Sequence, residues 1–248
     1  MTATIEKWPE SSGTDIFINE HLKVDIGHAS HGYIFAAIFE DSIRKKKLRI
    51  QKDDKTIYYD MKKPLIYETI PLQFGSGLYY ISLMRNIGGK KYENVANITF
   101  NVSLIQEDIS FLYPNQYINY NENTDAVVLA ENICKDLQGK AAYDAIKNYI
   151  YKNYRYDYVQ AVTVKVGTLP NIDRCFNKKA GICQDLAALV VCMLRTQGIP
   201  AKFVIGYADN QYHAWVRVNI DGKKYLYDPT AAVTKRKNAQ SYVPEREY

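Results

Sequence analysis

The chain predicts two domains of different class: an all-β sandwich of immunoglobulin-like type over residues 1–118, and an α+β domain over residues 119–248. Three observations carry this. The first part is a series of short β-branched and aromatic runs without helical periodicity. From Thr124 onward, apolar residues recur at helical spacing. Beyond residue 200 the pattern alternates again around Asp221-Gly222, a strong signal for a two-residue hairpin turn.

In the first part the runs Ile16–Ile18, Tyr33–Ile38, Leu48–Ile50, Thr56–Tyr59, Leu78–Leu83 and Ile98–Val102 read as strands. Turn formers such as Asp53-Asp54 and Gly88-Gly89 separate them. So many short strands in roughly 110 residues fit a sandwich better than any helical class. The character changes near Pro114. A helix is expected from Thr124, carrying Ala126, Leu129, Ala130, Ile133 and Leu137 on one side and ended by Gly139. A second, around Ala141–Tyr154, buries Ala142, Ala145, Ile146 and Tyr149. A third opens at Cys183, runs through good helix formers to Arg195, and is stopped by Gly198 and Pro200. Strands at 201–207, 213–220 and 223–228 follow, and helices ahead of antiparallel strands make an α+β domain.

Composition suits globular cores, with 47% hydrophobic and 24% charged residues in 248. No apolar run approaches the roughly 18 residues of a membrane-spanning helix. No signal peptide stands at Met1, so an exported protein would have its targeting segment outside this chain. Charge is balanced over residues 1–118, so the excess of +5 lies beyond them. An anionic surface such as a cell envelope is a compatible partner. Lys235-Arg236-Lys237 reads as a solvated tail, and no nucleic-acid partner is expected.

Cys183 is where a nucleophilic thiol would be made. At the first turn of a helix, unpaired N–H groups and the positive end of the dipole favour a negatively charged sulfur. Further on come His213, in Tyr212-His213-Ala214-Trp215, and Asp228, in Tyr227-Asp228-Pro229-Thr230. If Ile220 pairs with Lys223 across the turn, Trp215 falls opposite Asp228 and His213 opposite Thr230. Alternation then puts His213, Trp215, Arg217, Lys224, Leu226, Asp228 and Thr230 on one face. His213 and Asp228 become diagonal neighbours, about 7–8 Å apart at the backbone. Ala214, Val216, Val218 and Ile220 face the core. Cysteine, histidine and aspartate in this order form a candidate catalytic triad.

The other candidates read as structural. Cys134 and Cys192 are buried small side chains, Cys192 being half a turn out of phase with Cys183. Cys175 falls in a loop ahead of the nucleophile. The four cysteines show no disulfide spacing. Asp185 reads as a first-turn helix stabiliser. His28 and His31 lack a third ligand at useful spacing, so neither a metal nor a cofactor is expected.

The stretch Lys179-Ala180-Gly181-Ile182-Cys183-Gln184-Asp185-Leu186, the helix end Met193–Lys202, Tyr212-His213-Ala214-Trp215 and Asp228-Pro229-Thr230 together resemble the transglutaminase-like superfamily over roughly residues 124–231. The resemblance implies a papain-like core. It also implies Cys183 as nucleophile, His213 as general base and acid, and Asp228 as the orienting carboxylate. The expected chemistry is attack on a carboxamide or peptide carbonyl to form a thioester, resolved by water or by an amine. Tyr156 or Tyr158 would supply an oxyanion donor besides the Cys183 N–H, and Trp215 would line the site. Tyr225 and Arg217 depart from residues common in relatives, which bears on substrate choice. Relatives of this composition imply a bacterial protein that is secreted or held at the cell surface. Three classes stay open: a cysteine peptidase or acyltransferase on protein amides, an inactive surface-binding module, and a structural scaffold. Hydrolysis is the expected outcome, and isopeptide crosslinking is the alternative within the first class.

Overall fold

The computed structural model describes residues 7–39 and 43–248; Met1 lies outside them. The chain divides into two compact units between Tyr113 and Pro114. That is earlier than the expected boundary at 118, and it falls at the change of character near Pro114.

Among its described residues, the first unit is all β apart from two short 3₁₀ turns. Its strands are β1 (Ile16–Ile18), β2 (Leu22–Asp25), β3 (Tyr33–Ile38), β4 (Lys46–Lys52), β5 (Lys55–Met61), β6 (Glu68–Pro71), β7 (Gly77–Gly88) and β8 (Lys91–Val102). They form two four-stranded antiparallel sheets, in the orders β1-β2-β3-β6 and β5-β4-β7-β8. Alternation decides which side is dry. Leu48, Ile50, Ile57, Tyr59 and Met61 are buried, while Arg49, Tyr58 and Asp60 between them are not. Each such aliphatic or aromatic burial is worth about 1.5–3 kcal/mol. Two strands escape the sequence pattern. β2 is short and interrupted by Lys23; β6 has only Ile70 between Thr69 and Pro71. β2 ends at Asp25, whose buried carboxylate accepts from the hydroxyls of Ser11 and Ser12 and the N–H groups of Gly13 and Gly27. Those four donors hold it far below the usual carboxylate range, against the opposing effect of burial.

The second unit mixes helices and sheet. It contains α1 (Asp125–Ile133), α2 (Gly139–Asn153), β9 (Arg155–Tyr156), α3 (Tyr158–Thr163), α4 (Ile172–Lys178), β10 (Ala180–Gly181), α5 (Cys183–Arg195), β11 (Ala201–Ala208), β12 (Gln211–Ile220), β13 (Lys223–Tyr227), α6 (Pro229–Val233) and β14 (Tyr242–Glu247). α1 stops sooner than its apolar spacing suggests, because Cys134 caps it and Asp136 turns left-handed at φ 63°. Gly139 therefore begins the next helix instead of ending the first. Cys175 lies in a helix, not a loop. The signals for α3 and α4 are Asp157 and Asn171, whose side chains accept from Gln160 N and Arg174 N as N-caps.

α5 is the centre of the unit. Every residue from Asp185 to Arg195 is buried, and the helix packs against α1, α2, α4, α6, β11 and β12. Its last residue is a buried cation made tolerable by hydrogen bonds: Arg195 Nε donates to Ala201 O (2.9 Å) and Nη2 to Tyr248 O (2.8 Å). The sheet runs β13-β12-β11-β14, all antiparallel. The hairpin register is the expected one, Ile220 opposite Lys223 through Val216 opposite Tyr227. Ala214, Val216, Val218 and Ile220 are buried. The extrapolation beyond Tyr227 fails, because the chain leaves the sheet at Asp228 to start α6, so neither Trp215–Asp228 nor His213–Thr230 forms as a strand pair. The stretch after Lys235-Arg236-Lys237 is also more than a tail, since Tyr242–Glu247 adds a strand to β11. β11 makes room for it with Gly206, where a Cβ would lie 2.1 Å from Val243 O.

Candidate active site

Cys183 is the first residue of α5, placed by a short parallel ladder. Ala180 and Gly181 of β10 pair with Arg155 and Tyr156 of β9. The flanking bonds Arg155 N to Lys179 O and Asp157 N to Gly181 O, each 3.1 Å, lock the two segments together. Position 181 requires glycine, since a Cβ there would stand 2.8 Å from both Asp185 Cβ and Cys175 Sγ.

The fully buried carboxylate of Asp185 sets the shape of this corner. It accepts from Asn171 N (3.0 Å), Ile182 N (3.4 Å), Arg174 Nη2 (3.1 Å) and Gln160 Nε2. One side chain thus ties α3, the start of α4 and the residue before the nucleophile to the first turn of α5. The first-turn role read from sequence is present, and three further segments converge on it. Nothing in local spacing signals that convergence, because it depends on the fold.

Among the four free cysteines, Cys183 is partly exposed and Cys134, Cys175 and Cys192 are buried. Burial, and then the Asp185 charge, push the Cys175 thiol up to about 12. Burial likewise raises Cys134 and Cys192.

His213 comes from β12 and Asp228 is the N-cap of α6. His213 Nε2 lies 2.8 Å from Asp228 Oδ2, and the two side chains are only 15% and 5% exposed. Asp228 Oδ1 accepts from Ala231 N at 3.1 Å, and Oδ2 also accepts from Tyr242 Oη at 2.9 Å. Cys183 stands close enough for its sulfur to act on the same ring. With Nε2 turned to the carboxylate, Nδ1 is the atom left for the thiol. Burial alone would lower the His213 pKa, but the bond to Asp228, the nearby Cys183 and the charges of both outweigh it and raise it to about 9. The same bonds hold Asp228 below its ordinary value although burial opposes this. A charged imidazolium held between a carboxylate and a sulfur is therefore the state favoured at neutral pH.

The remaining predicted residues divide. Tyr156 is half-buried beside Cys183, whose charge acts on its hydroxyl; burial, then Cys183, raise its pKa and keep it a donor. Tyr158 packs edge-on against Tyr156 but is 61% exposed. Trp215 is fully buried, so it does not line the site. It stacks behind the His213 ring at 6.5 Å and meets Tyr242 edge-on at 5.1 Å. Arg217 pairs with Glu247 of β14, and Tyr225 packs on Tyr143 of α2, so neither departure reaches the site. Tyr242 is the partner that sequence reading missed. Its strand has four exposed residues, Pro244 among them, and the one available signal is Gly206 in the middle of β11.

Residues 128–229 match the family described as the transglutaminase-like superfamily, and the match contains Cys183, His213 and Asp228. An uncharacterised protein of Mycobacterium leprae is 27% identical over 154 residues, 55% of this chain and 52% of that protein. The chain thus spans about half the length of this curated relative. Among solved structures, the periplasmic domain of TgpA from Pseudomonas aeruginosa aligns at a TM-score of 0.42 with 13% identity, over 88% of this chain and 96% of that one. A Cytophaga hutchinsonii protein provisionally assigned as a cysteine protease aligns at 0.44 with 18% identity, over 81% and 71%. The resemblance read from the sequence is matched by that family model, which falls within the second unit of mixed α and β.

Proposed function

Starting from a chain whose residues 128–229 match the transglutaminase-like superfamily, we propose that it is an enzyme of thiol-dependent acyl transfer on peptide amides. Cys183 is the nucleophile, His213 the acid and base, and Asp228 the orienting carboxylate. The observation that carries this reading is the His213–Asp228 hydrogen bond, 2.8 Å long, on a ring whose titration Cys183 also influences. The sulfur attacks the carbonyl carbon, and His213 passes its proton to the amide nitrogen as the C–N bond breaks. A thioester and a free amine result. Water then attacks the thioester, His213 takes its proton, and the C–S bond breaks to give a carboxylic acid and the resting pair. Asp228 keeps the imidazole in the productive tautomer. Tyr156 Oη and the Cys183 N–H are the oxyanion donors, a role supported by the ladder that pairs Tyr156 with Gly181, two residues before Cys183, and by the action of Cys183 on the Tyr156 hydroxyl.

Hydrolysis is the favoured fate, supported by the polar cavity of about 460 Å³ on the His213–Asp228 side, which gives water a route. The test offers a glutamine-rich protein with and without a labelled primary amine, and follows peptide or ammonia release alongside amine incorporation. Release outpacing incorporation at millimolar amine is expected; the reverse would make this a crosslinking enzyme.

For the first unit, an immunoglobulin-like sandwich is supported by its two antiparallel sheets and by Tyr79. Near the start of β7, the Tyr79 hydroxyl donates to Leu72 O (3.0 Å) or Gly75 O (2.9 Å) and accepts from Phe74 N (2.9 Å). Such a tyrosine pin to upstream backbone recurs in these sandwiches.

A further inference from the structure

The turn after α6 has an unusual construction. Lys235 adopts φ 56°, a left-handed conformation that costs a side-chain-bearing residue what glycine would avoid. That bend lets Lys235 N reach Ala232 O (3.1 Å) and Arg236 N reach Ala231 O (2.9 Å), which closes the helix in the Schellman pattern. The points at which Arg236 and Lys237 leave the backbone are thereby fixed.

Both residues line the cavity that also contains His213 and Asp228. Arg236 additionally acts electrostatically on Tyr156, the residue beside Cys183. Among the described residues neither cation has a carboxylate partner. The two carboxylates in the same cavity are already engaged. Asp228 serves His213, Tyr242 and Ala231 N, and Asp209 accepts from Ser241 N at 2.9 Å. An open cleft in which an imidazolium, a guanidinium and an ammonium outnumber the carboxylates of Asp209 and Asp228 attracts anions.

The chemistry says which part of a substrate would lie there. His213 must deliver its proton to the departing nitrogen, so the leaving half of the substrate approaches the His213 side. We propose that Arg236, aided by Lys237, selects peptide substrates with an acidic side chain on the leaving half, next to the bond that is cut. This rests on the acyl-transfer reading above and narrows it. A primary carboxamide that releases only ammonia has no such group to offer, so peptide bonds are favoured over glutamine side chains.

The experiment has two arms. The first compares kcat/KM for peptides that differ only in Glu, Gln or Lys at the first residue of the leaving half. A Glu preference of about fivefold is expected, the upper end for an ion pair that solvent still reaches. It should shrink with added salt, vanish in Arg236→Ala/Lys237→Ala, and turn to a Lys preference in Arg236→Glu. The second arm measures Cys183 alkylation by iodoacetate and by iodoacetamide, reagents of similar size and different charge. The ratio of the two rates should fall in Arg236→Glu. Equal cleavage of the Glu and Gln peptides together with an unchanged ratio would overturn the proposal and leave Arg236 as a helix-end residue. Alkylation whose ratio responds to Arg236 with no peptide cleaved would retain the anion site and sink the acyl-transfer reading instead.

Discussion

Replacing Asp228 with asparagine removes one negative charge and nearly preserves the shape. The wild-type carboxylate accepts from His213, Tyr242 and Ala231. The asparagine oxygen retains at most part of that set, and its NH₂ faces donors. The magnitude follows from His213, which is raised from 6.5 to about 9. At about 1.4 kcal/mol per pH unit, this is ~3 kcal/mol favouring the charged ring, shared between Asp228 and Cys183. In Asp228→Asn the burial effect on His213 loses its main opponent, so the titration should move to 6.5 or below. The sign for stability follows. A histidine with a raised folded pKa stabilises fully below 6.5 and loses that contribution as pH rises through about 9. The variant should thus be destabilised most at acidic and neutral pH, and should approach wild type above about 9. Turnover should fall by about 10²–10⁴ through loss of the productive tautomer, leaving a measurable remnant. The assay is NMR titration of the His213 ring protons, repeated in a Cys183→Ala background to divide the two contributions. A His213 midpoint that stays near 9 in Asp228→Asn would refute this electrostatic account.

Other outcomes follow from the same geometry. Of the four cysteines, Cys183 alone should be alkylated rapidly at mildly acidic pH, as read by time-resolved peptide mass spectrometry; equal labelling of Cys175 would contradict its burial. In His213→Ala, turnover should disappear and Cys183 labelling should slow; an unchanged labelling rate would argue against a sulfur–imidazolium pair. Asp185→Ala leaves the Asn171 and Ile182 N–H groups without their acceptor, while the 38%-exposed Arg174 turns to solvent, and should cost about 1–3 kcal/mol in urea denaturation. Gly206→Ala forces a Cβ against the β14 backbone and should cost about 1–3 kcal/mol by the same measurement, with turnover reduced through the displaced Tyr242.

How far the sequence reaches can be judged residue by residue. The hairpin register follows from Asp221-Gly222 and alternation alone, and it brings His213 toward Asp228. The closing step did not follow. Asp228 was read as a strand residue, yet Pro229 at the first helical position and the aspartate before it are together a helix start. That start turns the carboxylate onto the ring. α5 was legible because its apolar run is uninterrupted and its end is marked by glycine and proline. β14 was not, because an edge strand with Pro244 and alternating charges lacks an apolar face, and its membership depends on the space left by Gly206. Asp185 shows a different limit. Its residue type and position suggest a helix start, but the donors that converge on it come from three other segments and are fixed only when the unit closes. Trp215 was assigned to the correct face and the wrong side of the histidine, since alternation gives the direction of a side chain and not what covers it.

The central claim is that a covalent intermediate forms on Cys183. Mixing the protein with a cleavable peptide, quenching in acid within the first turnover and taking the intact mass tests it most directly. The account predicts an adduct equal to the acyl half of the peptide, mapped to the fragment containing Cys183, discharged by hydroxylamine and missing from Cys183→Ala. Turnover without any adduct, or an adduct that persists in Cys183→Ala, would contradict it.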